Sequence, residues 1–225
     1  MQPNKGFEGF KEDTYQFFWE IAFQNDTSFF NANRARYRAN VYEPLLALSA
    51  AVAPTVMDVD DRLNVKPSAT VSRIRRDTRY SHDKSPYRDH AWIGFRMPGT
   101  YISESFTLYA DINRDSYGYG MGMYAPTSAM MKALRDRMFA QPKKFLDMVS
   151  APAFAEKFTL QGEMFKRDRF PAEPAVLKPY LNRKNISFVY SSPELKRTLS
   201  PALADEIIEG YRMLKPVYRF LMGLN

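Results

Sequence analysis

Apolar side chains recur at helical spacing through the first third of the chain. Phe10, Thr14, Phe17, Phe18 and Ile21 share one face, with Lys11, Glu12, Asp13 and Glu20 opposite, as in an amphipathic helix packed on a core. Asn25-Asp26-Thr27-Ser28 interrupts the pattern, and Asp26 or Thr27 suits the cap of a second helix. That longer helix carries Phe30, Arg34, Tyr37, Val41, Leu45, Leu48 and Val52 at spacings of three and four. Proline lacks a backbone donor and crowds the preceding turn, so Pro44 is expected to kink this helix and Pro54 to end it.

Alternation takes over in the middle. Strands are expected at Ala69 to Arg75, Ala91 to Met97, Ser105 to Asn113 and Tyr117 to Tyr124. The clearest has Phe106, Leu108, Ala110 and Ile112 on one face, with Thr107, Tyr109 and Asp111 on the other. Asn113-Arg114-Asp115-Ser116 supplies a hairpin turn to the next strand. Gly118, Gly120 and Gly122 alternate along that strand, a spacing that suits close packing against a helix and matches no nucleotide-binding fingerprint. Helix returns after Pro126, with Met130, Met131, Leu134 and Met138 as core filler, and again from Pro142 to Val149. Strands at Glu156 to Gln161 and Ile186 to Tyr190 are expected on either side of a helix from Pro174 to Leu181. A final helix runs through Ile207, Tyr211, Leu214, Tyr218 and Leu221, with an interruption expected at Pro216. The whole reads as one α+β domain over residues 1–225, a mainly antiparallel sheet flanked by helices from the N- and C-terminal parts of the chain.

Composition removes several chemistries. The 225 residues include no cysteine, which excludes disulfides, thiolate catalysis and cysteine-type zinc sites. His82 and His90 are the two histidines, eight residues apart, and neither comes with an evident carboxylate to orient it. Asp58, Asp60 and Asp61 fit a solvated acidic turn ahead of Arg62 better than a cation site, since hard cations want more oxygen ligands. No metal and no cofactor is therefore expected. The polar start Met1 to Gly6 leads straight into a helical pattern, and Leu45 to Met57 is too short to span a bilayer. The expected setting is the cytoplasm, away from membranes; the pattern is silent on oligomeric state.

Charge then singles out one segment. Of the formal net charge of +7, the stretch Arg73 to Arg88 holds six basic residues against two acidic ones. Such a concentrated positive field favours an anionic partner. The run Arg73-Ile74-Arg75-Arg76-Asp77-Thr78-Arg79-Tyr80-Ser81-His82-Asp83-Lys84-Ser85-Pro86-Tyr87 resembles the R-x-x-R-D-x-R-F-x-x-D-K-x-x-Y motif of a bacterial family filed as a domain of unknown function, DUF2461. The match falls on Arg73, Arg76, Asp77, Arg79, Asp83, Lys84 and Tyr87, with Tyr80 where the family usually has phenylalanine. Asn25 to Tyr37, with Phe29 in place of a usual tryptophan, and the segments Gly120 to Pro126 and Lys166 to Phe170 are also similar to that family. The resemblance implies a bacterial-type soluble protein and no particular activity.

As a strand, the motif puts Arg73, Arg75, Asp77 and Arg79 on one face; as a helix, it gathers Arg73, Arg76, Asp77, Tyr80, Lys84 and Tyr87. Val71 and Ile74 favour a strand at its start and Pro86 an extended Ser85, so a strand giving way to a loop near Asp77 is expected. The candidate ligand-binding set is Arg73, Arg76, Asp77, Arg79, Lys84 and Tyr87, with Arg34 from the second helix. Arginine offers a planar fork to phosphate or carboxylate, Lys84 a compact charge, Asp77 an orienting partner and Tyr87 a hydroxyl. Arg36 and Arg38 beside Arg34 read as a solvated basic face, and Lys166, Arg167 and Arg169 as an extension of the positive surface. Three functions compete: a binding module for a small anionic ligand, an enzyme with Asp77 or Asp83 as general base, and a nucleic-acid binder stacking bases on Tyr80 and Tyr87. The last is the weakest, because one basic patch on a chain with 25 acidic residues is a slight footprint. Against all three stands an internal ion-pair network, with Asp77 and Asp83 neutralising the arginines.

Overall fold

Antiparallel pairing organises the centre of the chain in the computed structural model, which describes residues 6–79, 82–101 and 105–224. Strands β1 (His90–Phe95), β2 (Thr107–Asn113), β3 (Tyr117–Gly122), β4 (Thr159–Gln161) and β5 (Ser187–Ser192) form one sheet in the order β1-β2-β3-β5-β4. Every pairing is antiparallel. The hairpin predicted at Asn113 to Ser116 joins β2 to β3, and the Asn113 side chain accepts from the Asp115 and Ser116 amides at 2.8 and 2.9 Å. Helices gathered on the sheet complete the α+β fold expected from the sequence.

Register explains which face is covered. Ala91, Ile93 and Phe95 lie beside Ile112, Ala110 and Leu108, which in turn lie beside Tyr117, Tyr119 and Met121. All nine are buried. Against them packs α10 (Ala202–Met222): Tyr211 meets Phe95 edge-on at 6.4 Å and Tyr218 meets Phe106 at 5.5 Å. Gly210 lets the helix close on the Tyr119 ring, since a Cβ there would overlap the ring edge. Each such ring contributes about 1.5–3 kcal/mol through burial. Beside α10 lies α4 (Glu43–Val59), joined to it by Lys215 and Asp58 at 2.7 Å and by the Tyr218 hydroxyl donating to Asp60 at 3.1 Å.

Asp60 corrects the expectation of a solvated acidic turn. It is 3 % exposed and accepts from the Arg62 guanidinium as well as from Tyr218. These donors hold its carboxyl below the usual carboxylate range despite burial.

The N-terminal third contains α1 (Glu12–Phe23), α2 (Thr27–Ala32) and α3 (Arg34–Tyr37), followed by a π-helical turn, Arg38–Tyr42. Asp26 caps α2 by accepting from the Phe29 amide at 2.8 Å. The second predicted helix breaks at Asn33, and Pro44 stands in the first turn of α4, just after the π turn. The Thr14 hydroxyl donates at 2.6 Å to the Asn40 carbonyl, the acceptor to which a proline four residues on cannot donate. Pro54 does not end that helix and Pro216 does not interrupt α10. Both prolines are exposed, so water can reach the carbonyls that lose their helical partner. Arg36 is not on a solvated face: it pairs with Asp13 at 2.6 Å and with Glu20, tying α3 to α1.

Elsewhere the chain departs from expectation at its shorter elements. The predicted strand Ala69 to Arg75 is a helical turn, α5 (Pro67–Thr70), followed by extended chain with isolated bridges at Val71 and Arg75. The region predicted as a strand from Glu156 begins as helix: α8 (Pro152–Lys157) follows α6 (Ser128–Ala140) and α7 (Pro142–Val149), and β4 starts at Thr159. Only Lys178–Leu181, α9, is helical within the predicted Pro174 to Leu181 helix. A 3-10 turn at Leu195–Leu199 leads into α10. Among the described residues no helix is long and apolar enough to cross a membrane.

Candidate functional site

Extended chain after α5 runs along the outer edge of β1. The Ser72 amide donates to the Trp92 carbonyl at 2.8 Å, and the Trp92 amide donates to the Ser72 hydroxyl at 3.0 Å. The chain then doubles back: Arg76 donates its amide to the Pro86 carbonyl at 2.8 Å and Arg88 donates to the Ile74 carbonyl at 2.9 Å. Val71 and Ile74 supply β-branched residues for this ribbon, and Pro86 occupies a place where only its carbonyl is required. From Arg73 to Arg79 the odd-numbered residues are exposed and the even-numbered ones half-buried. That is the one-face arrangement expected of an extended reading. Tyr80 lies outside the described residues.

The ribbon is anchored by the last residue of the motif. Tyr87 is buried, and its ring stacks on Phe30 of α2 with centroids 4.4 Å apart and planes 23° apart. Asn25 clamps its backbone, accepting from the Tyr87 amide and donating to its carbonyl, both at 2.9 Å. The two segments that carry most of the family resemblance therefore touch each other. Tyr87 is an anchor, and it does not line the cleft that opens beside the ribbon.

Between α2–α3 with the π turn, the ribbon and the edge of β1, this open cleft measures about 1350 Å³. Arginine comes from every side. Arg34 and Arg38 project from the helical wall, Arg73, Arg75, Arg76 and Arg79 from the ribbon, and Arg88 and Arg96 from beside the sheet. Asp77 is the one carboxylate among the lining residues.

These arginines fall into two groups. Arg38 pairs with Glu43 at 3.1 Å, Arg76 with Asp83, and Arg79 with Asp77 through a two-pronged contact at 2.7 and 3.0 Å. The Arg79 guanidinium holds the exposed Asp77 carboxyl down at about 2. The Ser85 side chain and amide lower Asp83, with Arg76 adding a smaller effect. The other five have no carboxylate partner among the described residues. Arg34 reaches the Asn31 side-chain oxygen at 3.0 Å and lies over the Phe30 ring. Arg88 donates to the Arg73 and Arg75 carbonyls at 2.5 and 2.8 Å while covering the Trp92 ring. Burial, with the Arg76 charge nearby, lowers the Arg88 pKa, and the Asp77 carboxylate offsets only part of that effect. Arg96 donates to the Thr100 carbonyl. The exposed guanidiniums of Arg73 and Arg75 have no hydrogen-bond partner among the described residues.

Of the residues singled out from sequence, the cleft brings together Arg34, Arg73, Arg76, Asp77 and Arg79. Lys84 is elsewhere, its ammonium donating to the Thr78 carbonyl at 2.9 Å and closing the loop. Sequence reasoning passed over Arg38, Arg75, Arg88 and Arg96. Arg75 was within reach, since it alternates with Arg73; Arg96 carries no local signal, and only strand order brings it to the cleft. One histidine does have a carboxylate beside it, with His90 Nδ1 3.1 Å from Asp89 Oδ1, and its ring stacks on Trp92 at 5.5 Å.

Comparison with known proteins gives a family without an activity. A family model described as "Conserved hypothetical protein (DUF2461)" matches residues 13–220. No curated protein and no solved structure matches the chain.

Proposed function

Since the chain belongs to the DUF2461 family, whose description names no activity, we propose from the cleft that it binds a small anionic ligand bearing phosphate or carboxylate. One observation carries this reading: Arg73 and Arg75, whose guanidiniums have no hydrogen-bond partner among the described residues, lie in a cleft with eight arginines and a single carboxylate on its walls. Like charges gathered without compensation repel one another, and an anion relieves that repulsion while filling the guanidinium forks. Arg34, Arg88 and Arg96 surround the pair. Arg76, Asp77, Arg79 and Lys84 fix the loop, and Tyr87 with Asn25 fixes the ribbon on the helices.

The enzyme reading finds less support. Asp77 and Asp83 are both lowered in pKa by hydrogen bonds to their neighbours. A carboxylate stabilised in this way is a weak base.

Thermal unfolding in phosphate, sulfate and citrate tests the proposal. Ligand at about one hundred times its Kd stabilises the folded state by about 2.7 kcal/mol. For a chain of this size that is a Tm rise of roughly 5–10 °C. The Arg73→Ala/Arg75→Ala variant should fold and lose most of the rise. Equal shifts in both proteins, or none in either, would count against the cleft.

A further inference from the structure

The charge balance of the cleft says more about the ligand than that it is an anion. Resting on the binding reading above, we infer that the cleft takes a compact oligophosphate, a ligand with at least three phosphate groups in succession, and recognises the phosphates rather than an attached base. Three of the eight lining arginines are paired with carboxylates, which leaves Arg34, Arg73, Arg75, Arg88 and Arg96 without an ion pair among the described residues. A single phosphate carries roughly −1.5 to −2 charge at neutral pH. One phosphate therefore leaves most of the five unmatched, whereas three in succession, with roughly one charge on the middle group and up to about two on each end, come close to matching them.

Placement supports a compact ligand. The five stand on the helical wall, the ribbon and the sheet side of one cleft rather than along a single element. The volume of about 1350 Å³ exceeds what one phosphate fills.

Three of the four aromatic rings at the cleft argue against base recognition; the fourth, half-buried Tyr42, meets only Tyr37, at 6.4 Å, among the described rings. Stacking a nucleobase needs an open ring face. Phe30 has Tyr87 stacked on it at 4.4 Å and the Arg34 guanidinium 5.9 Å above it. Trp92 has Arg88 at 5.0 Å and His90 stacked at 5.5 Å. Tyr37 is buried among Phe17, Phe30 and Tyr42. The Phe30 and Trp92 rings are thus taken up by Arg34 and Arg88, which leaves the ligand to the guanidiniums.

Calorimetric titration at fixed ionic strength with orthophosphate, pyrophosphate, tripolyphosphate and single-stranded oligothymidylate tests this. Affinity should rise on the order of tenfold or more, about 1.4 kcal/mol, from orthophosphate to tripolyphosphate, with the oligonucleotide weaker than tripolyphosphate. Arg73→Ala/Arg75→Ala should abolish that preference. Lys166→Ala/Arg167→Ala, which removes exposed charge outside the cleft, should leave it intact. If the double alanine variant does not fold, Arg73→Gln/Arg75→Gln serves in its place with the same expectation. Orthophosphate binding as tightly as tripolyphosphate overturns the inference while leaving the anion reading standing. Tighter binding of the oligonucleotide overturns it in favour of a strand. Equal weakening by the Lys166/Arg167 variant reduces the effect to general basicity, and no binding of any anion removes both readings.

Discussion

At Asp111 a carboxyl sits half-buried on β2 with no hydrogen-bond donor among the described residues, and burial pushes its pKa up. A raised carboxyl disfavours the folded state wherever it must ionise. Its penalty is absent below the ordinary carboxylate value of 3.8 and grows as pH rises through the raised value. Asp111→Asn should therefore raise Tm by a few degrees at pH 7, with the gain shrinking to nothing as pH falls toward 3.8. Thermal denaturation of both proteins across that range checks it; a gain independent of pH would show that the charge is not the cause. Asp60 has the opposite sign, since Arg62 and Tyr218 lower it and its contribution disappears in acid. Residue types alone did not separate these two aspartates. Alternation placed Asp111 on the strand face opposite Ile112, but what surrounds each carboxyl depends on partners far away in sequence, Tyr218 for Asp60 among them.

For whole elements the hydrophobic pattern was legible along most long runs, although the run from Phe30 to Val52 breaks at Asn33 and passes through a π turn. The stripes of α1, α4, α6 and α10 and the alternation of β2 all appear where periodicity put them. Short elements were not, because four to six residues hold too few repeats to separate a turn of helix from a strand, as α5 and α8 illustrate. Proline misled for another reason: exposure lets Pro54 and Pro216 sit inside helices whose buried faces are held by packing. The alternating glycines of β3 do mark close approach, but to a neighbouring strand and not to a helix. A Cβ on Gly118 would stand 2.8 Å from the Tyr190 carbonyl oxygen, and one on Gly120 would overlap the Phe188 carbonyl. Backbone atoms held in a ladder cannot move aside as a side chain can. Gly120→Ala should destabilise the fold by roughly 1–3 kcal/mol, the usual cost of overpacking, measurable as a lower urea midpoint. An unchanged midpoint would mean that β5 shifts freely.

Across the molecule the site was half legible. Charge density pointed to the segment Arg73 to Arg88, and an extended reading placed Arg73 and Arg75 together on one exposed face of the ribbon that lines the cleft. The motif positions proved a mixed guide. Asp83, Lys84 and Tyr87 brace the ribbon, whereas Arg75, Arg88 and Arg96 reach the cleft from outside the motif's fixed positions. Arg34 and Arg96 are more than sixty residues apart, and only the docking of the N-terminal helices beside the edge of β1 brings them to one cavity. The internal network is present, and the arginines that it leaves without a carboxylate are the ones given to the proposed anion site. A crystal structure determined in phosphate tests this division most directly. The account predicts oxyanion density within hydrogen-bonding distance of the Arg73 and Arg75 guanidiniums. Phosphate bound only elsewhere, or both side chains turned away onto protein acceptors, would contradict it.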